Sequence, residues 1–249
     1  MITWSGSKLA DLGFYITLAH NKTRQQHTEE LFDQEQLVGI KRFNGYLTKN
    51  GTLVSFLELF KAIRHLDFKT VVIFEDDCVA SWFVSNRYSE LEFNKRLFIQ
   101  DLCTKIQQLN FDVFYLGVNL KAPVYYVDRL CARITDANTT HAIVFSKPFI
   151  EFCIEVFPLI RYSHSNDKFY RLCLTKTQLD TLPNGVQLLV RQRSFNFYTS
   201  TILHFIQGAT FSSNANKVTN CQESFKNSFQ RYLSDQNPFI NELLACSVR

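Results

Sequence analysis

A chain of 249 residues with 46% hydrophobic and 20% charged residues is globular, and it can bury a core within one large domain or two small ones. Its formal net charge of +4 is too mild to indicate nucleic acid, yet compatible with a polyanionic small molecule such as a nucleotide sugar. The most apolar long window, 141–160, holds Lys147, Pro148, Glu151 and Glu155 and is no membrane span, and residues 1–10 lack the apolar run of a secretory signal.

The seven cysteines are odd in number, scattered and free of any Cys-x-x-Cys pair. Most sit in apolar runs, as free buried thiols do, which points to a reducing, cytoplasmic setting.

In chain order, residues 12–18 read as a first strand, followed by a polar loop with Lys22 and Arg24 and a helix over 24–32. Residues 38–43 read as a second strand. Leu53, Phe56, Leu57, Phe60 and Ile63 recur at helical spacing and predict a helix over 51–66. Four consecutive apolar residues, Val71 to Phe74, then predict a strand buried on both faces. Residues 82–94 are loop-like and 95–110 helical. Strands follow at 111–116, at 123–127 with 129–134 as a hairpin, and at 140–145. Pro148 suits the first turn of a helix over 147–157. A polar loop over 164–167 precedes a short helix over 168–174. Residues 185–190 read as a last strand, and 195–205 are aromatic without a clear pattern.

Residues 1–211 thus form an α/β domain. From 212 to 249 the composition turns to Ser, Asn, Gln and Lys. Phe225, Phe229, Tyr232 and Leu233 give that segment a narrow apolar stripe, which packs on the body. A peripheral membrane contact is its alternative use.

The strand at 71–74 ends in Glu75-Asp76-Asp77 with no spacer. Concentrated negative charge at a sheet edge is costly unless water, a cation or a basic group offsets it. Ligands of open α/β sheets bind at the carboxyl ends of strands, and hard cations bridge carboxylates to phosphates. A divalent ion with a diphosphate is therefore the natural guest. A solvated acidic turn is the bland alternative.

Several segments fall in one order: FYITL with Arg24, Gly51 to Phe56, Phe74 to Asp77, FDVFYLG, Thr140 to Val144, and Asn166-Asp167. Together they resemble glycosyltransferase family 25, which includes lipopolysaccharide-biosynthesis and collagen β-galactosyltransferases. The resemblance covers residues 12 to 205. It departs from the family pattern at Thr17-Leu18, where Asn-Leu is usual, at Phe56, where a His follows the Ser, and at Ile143, where a Tyr is usual.

The resemblance implies a GT-A-type fold, a Rossmann-like sheet with helices on both faces. It implies an inverting transfer of a sugar, galactose in part of the family, from a nucleotide donor, commonly UDP-linked. The acceptor would be a hydroxyl of a glycan, glycolipid or protein. Asp77 is then the first choice of metal ligand, with Mn²⁺ or Mg²⁺ as the ion. Glu75 would hold the donor ribose or the metal. Asp76 either helps bind the donor or points into the core against a basic partner. His141 is a candidate Mn²⁺ ligand, against the plainer reading of a hydrogen-bonded core histidine; His164 and His204 are weaker alternatives. Asp167 takes the place of the base for the acceptor hydroxyl, against a cap for the helix at 168. Arg24 and Lys22 are candidates for the donor phosphates.

A competing reading is a catalytically inactive module of the same fold that binds sugars or a partner, motivated by Phe56. Nucleic-acid binding through the aromatic and basic residues between 186 and 205 is set aside, because they interleave with core-like positions.

Overall fold

A strand that is apolar on both faces can be covered on both sides, and the run from Val71 to Phe74 lies in this way between two cores. The computed structural model describes residues 1–48, 50–83, 94–160, 164–208, 210–212, 217–219, 222–233 and 238–239. In chain order, β1 (Ile2–Trp4), β2 (Ser7–Ala10) and β3 (Leu12–Thr17) lead to α1 (Lys22–Gln34). Then come β4 (Leu37–Val38), β5 (Lys41–Asn44), α2 (Gly51–Ile63), β6 (Thr70–Glu75), β7 (Cys78–Phe83) and α3 (Lys95–Gln108). β8 (Val113–Leu120), β9 (Tyr125–Tyr126), β10 (Cys131–Arg133) and β11 (Ala137–Ser146) precede α4 (Lys147–Ile160), α5 (Asn166–Thr175) and α6 (Asn184–Gln192). The chain continues through β12 (Phe197–Ser200), β13 (Leu203–Gln207), β14 (Thr210–Ser212) and β15 (Lys217–Thr219) to α7 (Gln222–Tyr232).

The main sheet has eight strands in the order β5-β3-β6-β11-β8-β12-β10-β9. β5, β3 and β6 run parallel, β11 is antiparallel to both its neighbours, and β8 and β12 are again parallel. Period-two alternation divides its side chains between two cores. Val71, Ile73, Ile143 and Phe145 pack with α2, α4, α5 and α7 on one face. Val72, Phe74, Ala142 and Val144 pack with α1, α3 and the small sheet β2-β1-β4 on the other. The architecture is the expected α/β one, a mixed sheet with helices on both faces.

Four readings of the sequence need correction. The strand expected over 185–190 is α6: Pro183 sets its start, and Val186 and Val190, four apart, are its buried side chains. Four-residue spacing of apolar groups is a helical face, and the short run hid it. Gln187 there turns its amide back to the Leu182 carbonyl, at 2.9 Å. The strand expected over 38–43 is two, because the chain leaves the small sheet after β4 and joins β3 of the large one with β5. Residues 1–10, for which no element is expected, form β1 and β2. Trp82 and Phe83 belong to β7; the rest of the expected loop, 84–93, lies outside the described residues.

Among the polar C-terminal residues, α7 buries Phe225 and Phe229, and Leu233 just after it joins them, in the same core as α2 and α4. Among the described residues no helix is long and apolar enough to cross a membrane.

His204 is a core residue. Its Nε2 lies 2.8 Å from Ser200 Oγ, and its ring meets Trp4 and Trp82 edge-on. Burial, then the charge of Lys95, pull its pKa down to about 3. In the unfolded chain the ring titrates near 6.5. Below that pH the unfolded state takes a proton that the native state refuses. His204 therefore removes about 1.4 kcal/mol of stability per pH unit between roughly pH 6.5 and 3. The ring resonances of His204 should stay at their neutral position down to about pH 4; a midpoint near 6 would contradict this burial.

Candidate active site

Glu75 is the last residue of β6, and Asp76 and Asp77 form the turn into β7. Alternation sends the three carboxylates to different partners. Asp76 turns towards α1. Its Oδ2 accepts from Thr17 Oγ1 at 2.6 Å and its Oδ1 from Arg24 Nη1 at 2.8 Å. Burial raises its pKa, opposed by Thr17 and Arg24. Both oxygens are thus engaged within the protein, and the basic partner is Arg24. The start of α1 is itself fixed: Asn21 Oδ1 accepts from the Arg24 amide, and Gln25 Nε2 donates to the carbonyls of Leu18 and Ala19.

Glu75 and Asp77 turn to the other side, where β11 supplies His141. Ala142 pairs with Phe74, which sets His141 beside Glu75. The register of β11 against β8 jumps between Asn138 and Ala142, an irregularity of the kind that re-aims side chains near active sites. His141 Nδ1 lies 3.3 Å from Glu75 Oε2 and 3.4 Å from Asp77 Oδ1. The residue is only 4% exposed. Burial alone would lower its pKa; Asp77 and then Glu75 outweigh it and push the ring up to about 10. Burial likewise opposes ionisation of Asp77, but His141 and Gln207 hold its carboxyl below the usual range.

Gln207, at the end of β13, donates to Asp77 Oδ2 at 2.9 Å. β13 can lie against β8 because Gly117 has no side chain; a Cβ there would overlap the Phe205 carbonyl. From α7, the Phe225 ring packs on His141 with centroids 5.4 Å apart.

His141 Nδ1 and Asp77 Oδ1 meet only as an ion pair too poorly aligned for a hydrogen bond, and His141 Nε2 is buried without a hydrogen-bond partner. Unsatisfied buried polar atoms are rare and costly. One ligand atom from each of Glu75, Asp77 and His141 lies within 4.8 Å of the others. Two carboxylates and an imidazole that gives up its proton as the ion binds suit Mn²⁺, and Mg²⁺ takes the same carboxylate oxygens. The residues present therefore fit a divalent cation.

The cluster lies on a cleft of about 310 Å³. Arg24 and Thr17 line it from the first β-α unit, and Asn166 and Asp167 line it from α5. Asp167 is in the first turn of α5, but it is not the cap. That role belongs to Ser165, whose Oγ accepts from the Lys168 amide at 3.3 Å. Asn166 is 1% exposed, and its amide nitrogen has no hydrogen-bond partner.

The other sequence candidates lie elsewhere. Lys22 reaches Gln25 Oε1 at 3.3 Å and is not among the residues lining the cleft. His164 is buried against Thr181 Oγ1, and His204 belongs to the core described above. Sequence reasoning missed Gln207, Phe225 and the amide of Asn166. The first two reach the acids only through β13 and α7, and nothing local in the sequence announces them.

The Gly51-Thr52-Leu53-Val54-Ser55 segment pins the wall formed by residues 45–48. Ser55 Oγ donates to the Gly51 carbonyl at 2.6 Å and accepts from the Tyr46 amide at 2.9 Å. A Cβ on Gly51 would overlap the Tyr46 carbonyl oxygen. Phe56 follows, fully buried edge-to-face on Phe60 and Phe145. Gly51→Ala should destabilise the fold by about 1–3 kcal/mol through this overlap, read as a lower urea midpoint. Wild-type stability would show that the wall yields freely.

No family model matches the sequence, and no curated protein matches it. A solved structure of UDP-glucose pyrophosphorylase complexed with UDP-glucose is similar at a TM-score of 0.43 and 6% sequence identity, over 93% of this chain and 83% of that one. At that level the likeness carries no argument about this chain's activity.

Proposed function

We propose that this chain is a glycosyltransferase of the family 25 type. It moves a sugar from a UDP-linked donor, with inversion, to a hydroxyl of a glycan, glycolipid or protein. The observation that carries the reading is the cluster of Glu75 with the buried Asp77 and His141, whose ligand atoms lie within 4.8 Å of one another, on the same cleft as Arg24 and Asp167. Glu75, Asp77 and His141 would hold Mn²⁺ or Mg²⁺. When bound, the cation supplies positive charge to the diphosphate leaving group.

The chain's own residues do the rest. Gln207 fixes one oxygen of Asp77 and leaves the other facing His141, where the ion would sit. Asp76 and Thr17 orient Arg24, whose guanidinium meets donor phosphate or ribose at the cleft wall. Asp167 takes the proton of the acceptor hydroxyl as that oxygen bonds to the anomeric carbon. The bond from that carbon to the diphosphate oxygen breaks, and its electron pair leaves on UDP.

UDP release from a panel of UDP-sugars, each with Mn²⁺ and mixed glycan acceptors, tests the reading. Release that needs both metal and acceptor supports it. Metal-dependent UDP binding without turnover on any donor would favour the inactive module to which Phe56 points. Failure of UDP to bind with Mn²⁺ would overturn the transferase reading.

A further inference from the structure

A second groove opens beside the cleft, and Ser165 and Asp167 line both. Asp167 therefore stands at the junction of two spaces. The second space has a volume of about 390 Å³ and is walled by Asn138, Lys168, Arg171, Thr175, Thr177 and Gln178. Amides and hydroxyls of this kind match a polyhydroxylated ligand, for which each hydroxyl needs a donor or an acceptor.

The charges on this wall are unequal in their commitments. Arg171 is engaged twice by Asp136, at 2.7 and 2.8 Å. Lys168 is exposed, and among the described residues its ammonium has no ion pair or side-chain hydrogen bond. It projects from the first turn of α5, whose N-terminal dipole also favours negative charge. Asn166, buried in that same turn, presents an amide nitrogen without a partner on the cleft side.

We propose that this groove is the acceptor subsite and that the acceptor is an anionic glycan. Its carboxylate or phosphate lies on Lys168, and a hydroxyl reaches Asp167. The inference rests on the transferase reading for its direction, since that reading makes Asp167 the base.

The test is an amide-shift titration of ¹⁵N-labelled protein with methyl glucuronide, methyl glucoside 6-phosphate and neutral methyl glucoside. The anionic sugars should bind about tenfold tighter than the neutral one, the usual gain from one charge-assisted hydrogen bond. Their shifts should centre on residues 166–175. Lys168→Ala should reduce them to the affinity of the neutral sugar. The order of the two anions tells carboxylate from phosphate. Equal binding of all three sugars, shifts centred elsewhere, or an unchanged preference in Lys168→Ala would overturn the proposal.

A parallel titration with UDP and Mn²⁺ separates the two readings. Glycan binding without UDP binding leaves the groove standing and sinks the transferase. UDP binding without any glycan preference does the reverse.

Discussion

Asp77→Ala is expected to abolish the stabilisation of this protein by UDP with Mn²⁺. A ligand at a hundred times its Kd raises stability by about 2.7 kcal/mol, an easily measured rise in melting temperature. The variant should show none of it. Asp77 contributes the buried oxygen that Gln207 does not hold and that faces His141, and without it only Glu75 and His141 remain to hold the ion. Sugar transfer should fall on the order of 10³-fold, the scale of losing one preorganised electrostatic partner. The fold should survive. Alanine leaves the Gln207 amide without its acceptor, at about 1–3 kcal/mol, but it also ends the burial of a carboxylate. Asp77→Asn keeps the Gln207 bond and removes the charge, so it separates these effects. A melting rise like that of wild type in both variants would remove Asp77 from the metal site.

Asp167→Asn is expected to lose transfer and keep the donor. General-base catalysis contributes roughly 10²–10⁴-fold, and turnover should drop by that amount. UDP binding in the presence of Mn²⁺ should change by less than about twofold, because Asn cannot take the proton but fills the same space. Stability should change little, since Ser165 and not Asp167 caps α5. Unchanged turnover would move the base elsewhere on the cleft.

The parts of this protein that local patterns specify were legible in its sequence. The four-residue apolar run of β6 reads as a strand buried on both faces because it is one, with Val71 and Ile73 in one core and Val72 and Phe74 in the other. Helices α2, α3 and α4 carry apolar faces at helical spacing, and their ends fall within a few residues of expectation. The acid cluster was visible for the same reason: three charged residues directly after a buried strand must be satisfied by something. Alternation even offered the core-facing choice for Asp76, though it could not name Arg24.

What the sequence did not disclose depends on distant crossings. The shape of Asp77's surroundings is set by β13, some 130 residues later, and the packing on His141 by α7. The irregular register of β11 appears only once β8 is laid beside it. α6 was misread because two buried valines four apart are too short a signal to separate from a strand. Phe56 is a case of a different kind. The resemblance set an expectation of His, and the structure gives Phe56 a complete packing role on Phe60 and Phe145.

Calorimetric titration of UDP into the wild-type protein, once with Mn²⁺ and once with EDTA, tests the central claim most directly. If Glu75, Asp77 and His141 hold a cation that bridges to a nucleotide diphosphate, UDP binds one to one with Mn²⁺ and at least about a hundredfold more weakly with the chelator, a difference of roughly 2.7 kcal/mol. Equal affinity in the two titrations would contradict the account, because Glu75, Asp77 and His141 would then have no part in holding the donor.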